Sequence, residues 1–70
     1  MTREEHLAWC KKRALEYLDK GDANDAVASM ESDMRKHPDT QISDTLSMLG
    51  MRYLIDGDHA AVRRWIEGFR

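Results

Sequence analysis

Tyr17-Leu18-Asp19-Lys20-Gly21-Asp22 and Tyr53-Leu54-Ile55-Asp56-Gly57-Asp58 decide the fold, because the second stretch repeats the first at an offset of 36 positions. Each ends an apolar-periodic segment in Gly and follows at once with Asp. Gly reaches the left-handed backbone that closes a helix, and Asp accepts the N–H groups that open the next. Ala26-Val27 follows the first turn, and Ala61-Val62 follows the second one residue sooner. Small alanine side chains there let two helices approach closely. The pattern reads as two helix-turn-helix hairpins.

Outward from the turns, Thr2 with Glu5 forms a capping box that opens a first helix. Leu7, Cys10, Ala14, Leu15 and Leu18 recur at helical spacing behind it, and Ala23, Ala26, Val27, Met30 and Met34 carry the second helix. His37-Pro38 ends that run, since proline lacks an N–H and disfavours helical geometry in the residue before it. Asp39 or Thr40 restarts the chain. Ile42, Thr45, Leu46, Leu49 and Tyr53 mark a third helix, and Val62, Trp65, Ile66 and Phe69 a fourth. The spacing predicts an all-α single domain over 1–70, with helices near 3–20, 23–36, 41–55 and 59–68 and hairpins at about 3–36 and 41–68. No stretch alternates with period two.

Charge narrows the function classes. Residues 1–36 carry seven bases and eight acids, and residues 37–70 carry four and five, so neither half offers the basic stripe a nucleic-acid binder presents. No apolar run reaches the roughly 20 residues of a membrane span. The start, MTREEHLAWC, lacks the basic-then-apolar order of a signal peptide. The expectation is a cytoplasmic chain that does not engage a membrane. The single cysteine excludes an intramolecular disulfide and a four-cysteine zinc site.

No constellation points to catalysis. Cys10, Ser29, Ser32, Ser43 and Ser47 sit in no nucleophile motif, and there is no glycine-rich phosphate loop. The acids Asp22, Asp25, Asp56 and Asp58 lie at helix starts, where capping explains them. His6 and Cys10 are four apart on one helix, but zinc needs three or four ligands, and His37 and His59 lie at helix ends with no partner nearby. The expectation is no metal and no cofactor, with Cys10 packed as a small hydrophobe and His6 solvated in the first turn.

Contact candidates come from side chains off the apolar stripes. Trp9 lies about 200° round the first helix from Leu7, on the side of Glu5, Lys12, Arg13 and Glu16. A Trp beside an Arg suits an interface anchor or a stacking platform. The alternative is an internal cation–π contact with Arg13 four residues on. On the third helix, Leu46, Leu49 and Tyr53 can face the local core, leaving Met48, Met51 and Ile55 on another side. A helix apolar on two sides is either central or in an interface. Trp9, Arg13, Met48, Met51 and Ile55 are therefore the partner-binding candidates. Arg52, Arg63 and Arg64, converging across subunits together with Arg70, are an alternative phosphate or nucleotide site; as a plain solvated face, Arg63 would pair with Glu67.

The run YLDKGDANDAVASMESDMRKHPDT, with its aromatic before a Gly-Asp turn, its Ala and its terminal Pro, resembles the tetratricopeptide repeat. LGMRYLIDGDHAAVRRWIEGF keeps the Leu49-Gly50 pair, the Tyr and the Gly-Asp turn. The chain departs from that pattern at Arg13-Ala14, where the family has Leu-Gly, and at Asp33, where it has a small residue. The segments LAWCKKRALEYLDKGDANDAVASM, SDMRKHPDT and VRRWIEGF also resemble short uncharacterised proteins of tailed actinobacterial bacteriophages. That resemblance implies an accessory protein made in a bacterial host cell, and no catalytic residue.

Two hairpins are too few to bury every apolar face of a repeat architecture, where about three units are usual. The resulting expectation is a non-catalytic interaction module that binds a host or phage protein and self-associates. The alternatives are an oligomeric ligand-sequestering or nucleic-acid-associated anti-defence protein and a minor virion structural protein.

Overall fold

A computed structural model describes residues 2–70. They form α1 (Arg3–Asp19), α2 (Ala23–Met34), a 3-10 turn (Pro38–Thr40), α3 (Asp44–Ile55) and α4 (His59–Glu67), with no strand among the described residues.

α1 starts as its sequence dictates. The Glu5 N–H donates to the Thr2 hydroxyl and the Thr2 N–H donates back to the Glu5 carboxylate, each at 3.1 Å. Those bonds to Thr2 hold the Glu5 carboxyl below its ordinary pKa. α1 ends in a Schellman motif. Gly21 sits at φ +80°, its N–H donates to the Leu18 carbonyl at 2.9 Å, and the Asp22 N–H donates to the Tyr17 carbonyl at 3.0 Å. The second turn repeats this bond for bond: Gly57 at φ +66°, Gly57 N–H to Leu54 at 3.1 Å, Asp58 N–H to Tyr53 at 3.1 Å. Asp22 and Asp58 then cap α2 and α4, accepting from the Asp25 and Ala61 N–H groups at 3.0 Å each. Both turns flank one small cleft lined by Gly21, Asp22, Tyr53, Leu54, Gly57 and His59, so the hairpins lie with their turns at the same end.

The join between the hairpins differs from expectation. α2 stops at Met34 rather than near residue 36. Pro38 opens a 3-10 turn, and Thr40 is buried there, its hydroxyl donating to the Met34 carbonyl at 2.6 Å. Thr40 therefore closes the end of α2 and does not restart the chain. Ser43 does that, accepting from the Leu46 N–H at 3.2 Å, so α3 begins at Asp44 instead of near residue 41.

The core joins Leu7, Cys10, Ala14 and Leu18 of α1 to Ala26, Val27, Met30 and Met34 of α2 and to Val62, Trp65, Ile66 and Phe69 from α4 and its end. α4 packs against α1, α2 and α3, whereas α3 packs against α2 and α4. α2 likewise packs against the other three helices, so α2 and α4 are the central pair and α3 lies at the edge. Two α1 side chains fasten the C-terminal end. Lys11 donates to the Glu67 carbonyl at 3.1 Å, placing a cation where the α4 dipole favours one. Arg3 donates to the carbonyls of Asp39 and Arg70.

Candidate docking surface

Two places gather the side chains singled out above. The first lies on hairpin 1. Asp33 falls on the apolar register of α2 and is only 2% exposed. Its carboxylate takes the Arg13 Nε at 3.0 Å, the Lys36 Nζ at 3.1 Å and the Ser29 hydroxyl at 3.3 Å. Arg13 and Lys36 also stand over the Trp9 ring, at 4.9 and 5.5 Å from its centroid. His6 stacks beside that ring at 6.0 Å. Trp9 is half-buried, and its guanidinium contact is the internal cation–π pairing that the four-residue spacing allows.

His6 is buried, which corrects its placement as a solvated residue. Its Nε2 lies 2.9 Å from the Asp33 carbonyl, which can only accept, so Nε2 carries the proton and is the donor. The contact satisfies the ring as α2 closes over it. The Cys10 sulfur is 3.6 Å from the same nitrogen, and the His37 ring is 5.5 Å from that of His6. Burial, and then the Asp33 charge, push the Cys10 thiol above its ordinary pKa, so it packs as a neutral thiol with none of the character of an activated nucleophile. Among the described residues, no three His, Cys, Asp or Glu side chains are grouped to hold a metal.

The second place is α3. Among the described residues the exposed large hydrophobic side chains are Leu46 (41%), Met48 (72%), Leu49 (39%), Met51 (50%) and Ile55 (75%), all on this one helix. They fall on two flanks. At about 100° per residue, Met48, Met51 and Ile55 form a strip within about 60°, while Leu46, Leu49 and Tyr53 form another nearly opposite. Between the flanks lies the side turned to the core, where Gly50 is the buried residue of α3.

Gly50 explains why α3 sits where it does. A Cβ added there would lie 2.6 Å from the Trp65 ring, so the indole is laid directly on the α3 backbone. The Trp65 Nε1–H then donates to the Leu46 carbonyl at 2.9 Å. With the core contact made across a glycine, Leu46 and Leu49 stand beside the ring rather than beneath it. This corrects their placement in the local core.

Leu46, Leu49 and Tyr53 instead line a groove of about 420 Å³ between α3 and α4. Trp65, Gly68 and Phe69 form its other wall, and Arg3, Arg64 and Arg70 stand around it with Asp39. Chain position alone did not bring Arg3 and Arg70 to Leu49. The tie of Arg3 to the chain end does so, and no local pattern announces it.

The arginines of the alternative phosphate site are engaged separately. Arg52 pairs with Asp56 at 3.2 Å, and Arg63 pairs with Asp19 across the hairpins at 2.6 Å, rather than with Glu67 as its salt-bridge partner. The Asp19 hydrogen bond holds Arg63 above its ordinary pKa. Arg64 has no carboxylate partner among the described residues and faces the groove.

No helix among the described residues is long and apolar enough to cross a membrane. No protein-family model, curated protein or solved structure matches the chain.

Proposed function

We propose that this chain is a non-catalytic protein-interaction module and that α3 is its docking element. One observation carries the reading: among the described residues the exposed large hydrophobic side chains are all on α3, while Trp9 and Arg13 are turned to contacts within hairpin 1. An apolar surface gathered on one helix of a small domain is the usual mark of a binding site. Methionines suit such a surface, because their flexible thioethers adapt to an irregular partner. The resemblance of LAWCKKRALEYLDKGDANDAVASM to tailed-phage proteins supports a host or phage protein as that partner, within an infected bacterial cell.

The test is a double substitution on the solvent side of α3, Met48→Glu with Ile55→Glu, together with Leu49→Glu in the groove. Both targets of the first variant are at least 70% exposed in round terms, so it is expected to keep the wild-type urea midpoint. Capture from bacterial lysate, followed by mass spectrometry, reads the outcome. A protein retained by wild type and lost from one α3 variant supports the reading. Identical recovery with wild type and both variants overturns it. Sedimentation of the pure chain separates partner binding from self-association: a dimer dissolved by Met48→Glu with Ile55→Glu would make the second copy the occupant of that strip.

A further inference from the structure

We propose that the groove between α3 and α4 takes a segment of another protein that presents aliphatic side chains together with a carboxylate. This rests on the reading of α3 as the docking element and names the partner's chemistry at one of its flanks.

The argument starts from the repeat. At the 36-residue offset of the first helices, Cys10, Arg13 and Tyr17 of α1 occupy the positions of Leu46, Leu49 and Tyr53 of α3. At the 35-residue offset of the second helices, Ala26, Met30 and Asp33 of α2 occupy the positions of Ala61, Trp65 and Gly68. The residues lining the groove in hairpin 2 thus have register equivalents in hairpin 1, where Arg13, Tyr17 and Asp33 line a cleft of about 350 Å³ that carries its own carboxylate. Asp33 enters it and draws in Arg13 and Lys36. Hairpin 2 has Gly68 where hairpin 1 has Asp33, and no side chain enters the space. Its cations remain: Arg3, Arg64 and Arg70 line the groove, with Asp39 the acid among the lining residues. Arg3 is engaged by the main-chain oxygens of Asp39 and of Arg70, the last residue, so the cations left facing the groove are Arg64 and Arg70. A chain of net charge −2 therefore turns two guanidinium groups, Arg64 and Arg70, toward one apolar groove with no carboxylate side-chain partner for either among the described residues. A guanidinium fork facing open space matches a carboxylate supplied from outside.

The floor decides against other occupants. Trp65 is buried with its ring against Gly50, and Phe69 is buried edge-on to Trp65 at 5.0 Å. Neither offers a free face for a nucleobase, and the exposed floor is Leu46 and Leu49, which suits aliphatic side chains. A second copy docked groove to groove would set Arg3, Arg64 and Arg70 against themselves, since a twofold interface brings like residues together.

The probe is a fluorescein-labelled amphipathic peptide of about four helical turns, with leucine on one face and glutamate on the other. Control peptides carry glutamine or lysine in place of glutamate, and a labelled oligothymidylate serves as the nucleic-acid probe. Fluorescence anisotropy is expected to rank glutamate above glutamine above lysine. Arg64→Glu is expected to weaken the glutamate peptide about tenfold and to narrow or reverse the ranking. Raising salt into the range where the Debye length is about 3 Å is expected to weaken the glutamate peptide more than the glutamine one. Lys12→Gln, at an exposed position of α1 that does not line the groove, is expected to leave the titration unchanged. Equal affinity for all three peptides, no binding by any of them, or tighter binding of oligothymidylate overturns the inference. Partner capture lost through Met48→Glu with Ile55→Glu, while the peptides fail to bind, would leave the interaction module standing and remove this occupant alone.

Discussion

The two hairpins share one turn and differ in the helix that precedes it. Tyr-Leu-x-x-Gly-Asp gives the same pair of Schellman bonds and the same Asp cap in both. Beyond the turn the solvent-facing positions diverge. Lys12, Leu15 and Asp19 on α1 stand in the register of Met48, Met51 and Ile55 on α3. One helix surrounds its half-buried leucine with charge, and the other is apolar at all three positions. Local sequence sets how a hairpin closes, whereas non-local residues set which of its faces are covered. In hairpin 1 Asp33 binds Arg13 and Lys36 beside the Trp9 ring, and in hairpin 2 Gly68 stands at the register position of Asp33.

The sharpest way to break the comparison lies inside the hairpins. Ala14 and Gly50 are register equivalents, as are Met30 and Trp65, so a small residue meets a large one in each with the volumes shifted. Gly50→Leu would drive a side chain into the Trp65 ring, and it is expected to cost about 3 kcal/mol or more in urea unfolding. A stable Gly50→Leu protein would show that α3 is not seated on Trp65. A smaller effect sharpens the likeness of the turns. Gly21→Ala and Gly57→Ala each force a side chain into left-handed backbone, with no neighbouring atom within 4 Å of the added Cβ. Each is expected to cost about 1–2 kcal/mol, nearly the same in the two hairpins. Unequal midpoints would show that the turns, alike in hydrogen bonding, are not alike in energy.

The sequence was most legible where structure is local. The Thr2–Glu5 box, both Gly-Asp turns and four helices could be read because each signal spans a few residues. The Pro38 break was legible, but Thr40 as a cap on α2 was not, since its hydroxyl reaches back six residues to Met34. Met48, Met51 and Ile55 could be separated from the other α3 side chains by spacing alone. Leu46 and Leu49 could not be placed, because their exposure depends on Trp65 meeting a glycine across the hairpin. Asp33 gave a partial signal, an acid on an apolar register, but its cations come from apart, Arg13 from within α1 and Lys36 from just past the end of α2. Arg64 and Arg70 could be grouped as cations of the C-terminal half, but their meeting with Arg3 was illegible, because it forms only when the two ends of the chain meet.

The central claim is that hairpin 2 has Gly68 where Asp33 gives the equivalent cleft of hairpin 1 an internal carboxylate for its cations. Register equivalence supplies a direct measurement: the affinity of the leucine–glutamate peptide for a chain carrying Leu49→Arg and Gly68→Asp, which transplants Arg13 and Asp33 into hairpin 2. The account expects a thermal midpoint at or above that of the wild type and a peptide titration reduced to background. A folded double variant that binds the peptide as tightly as the wild type would contradict it.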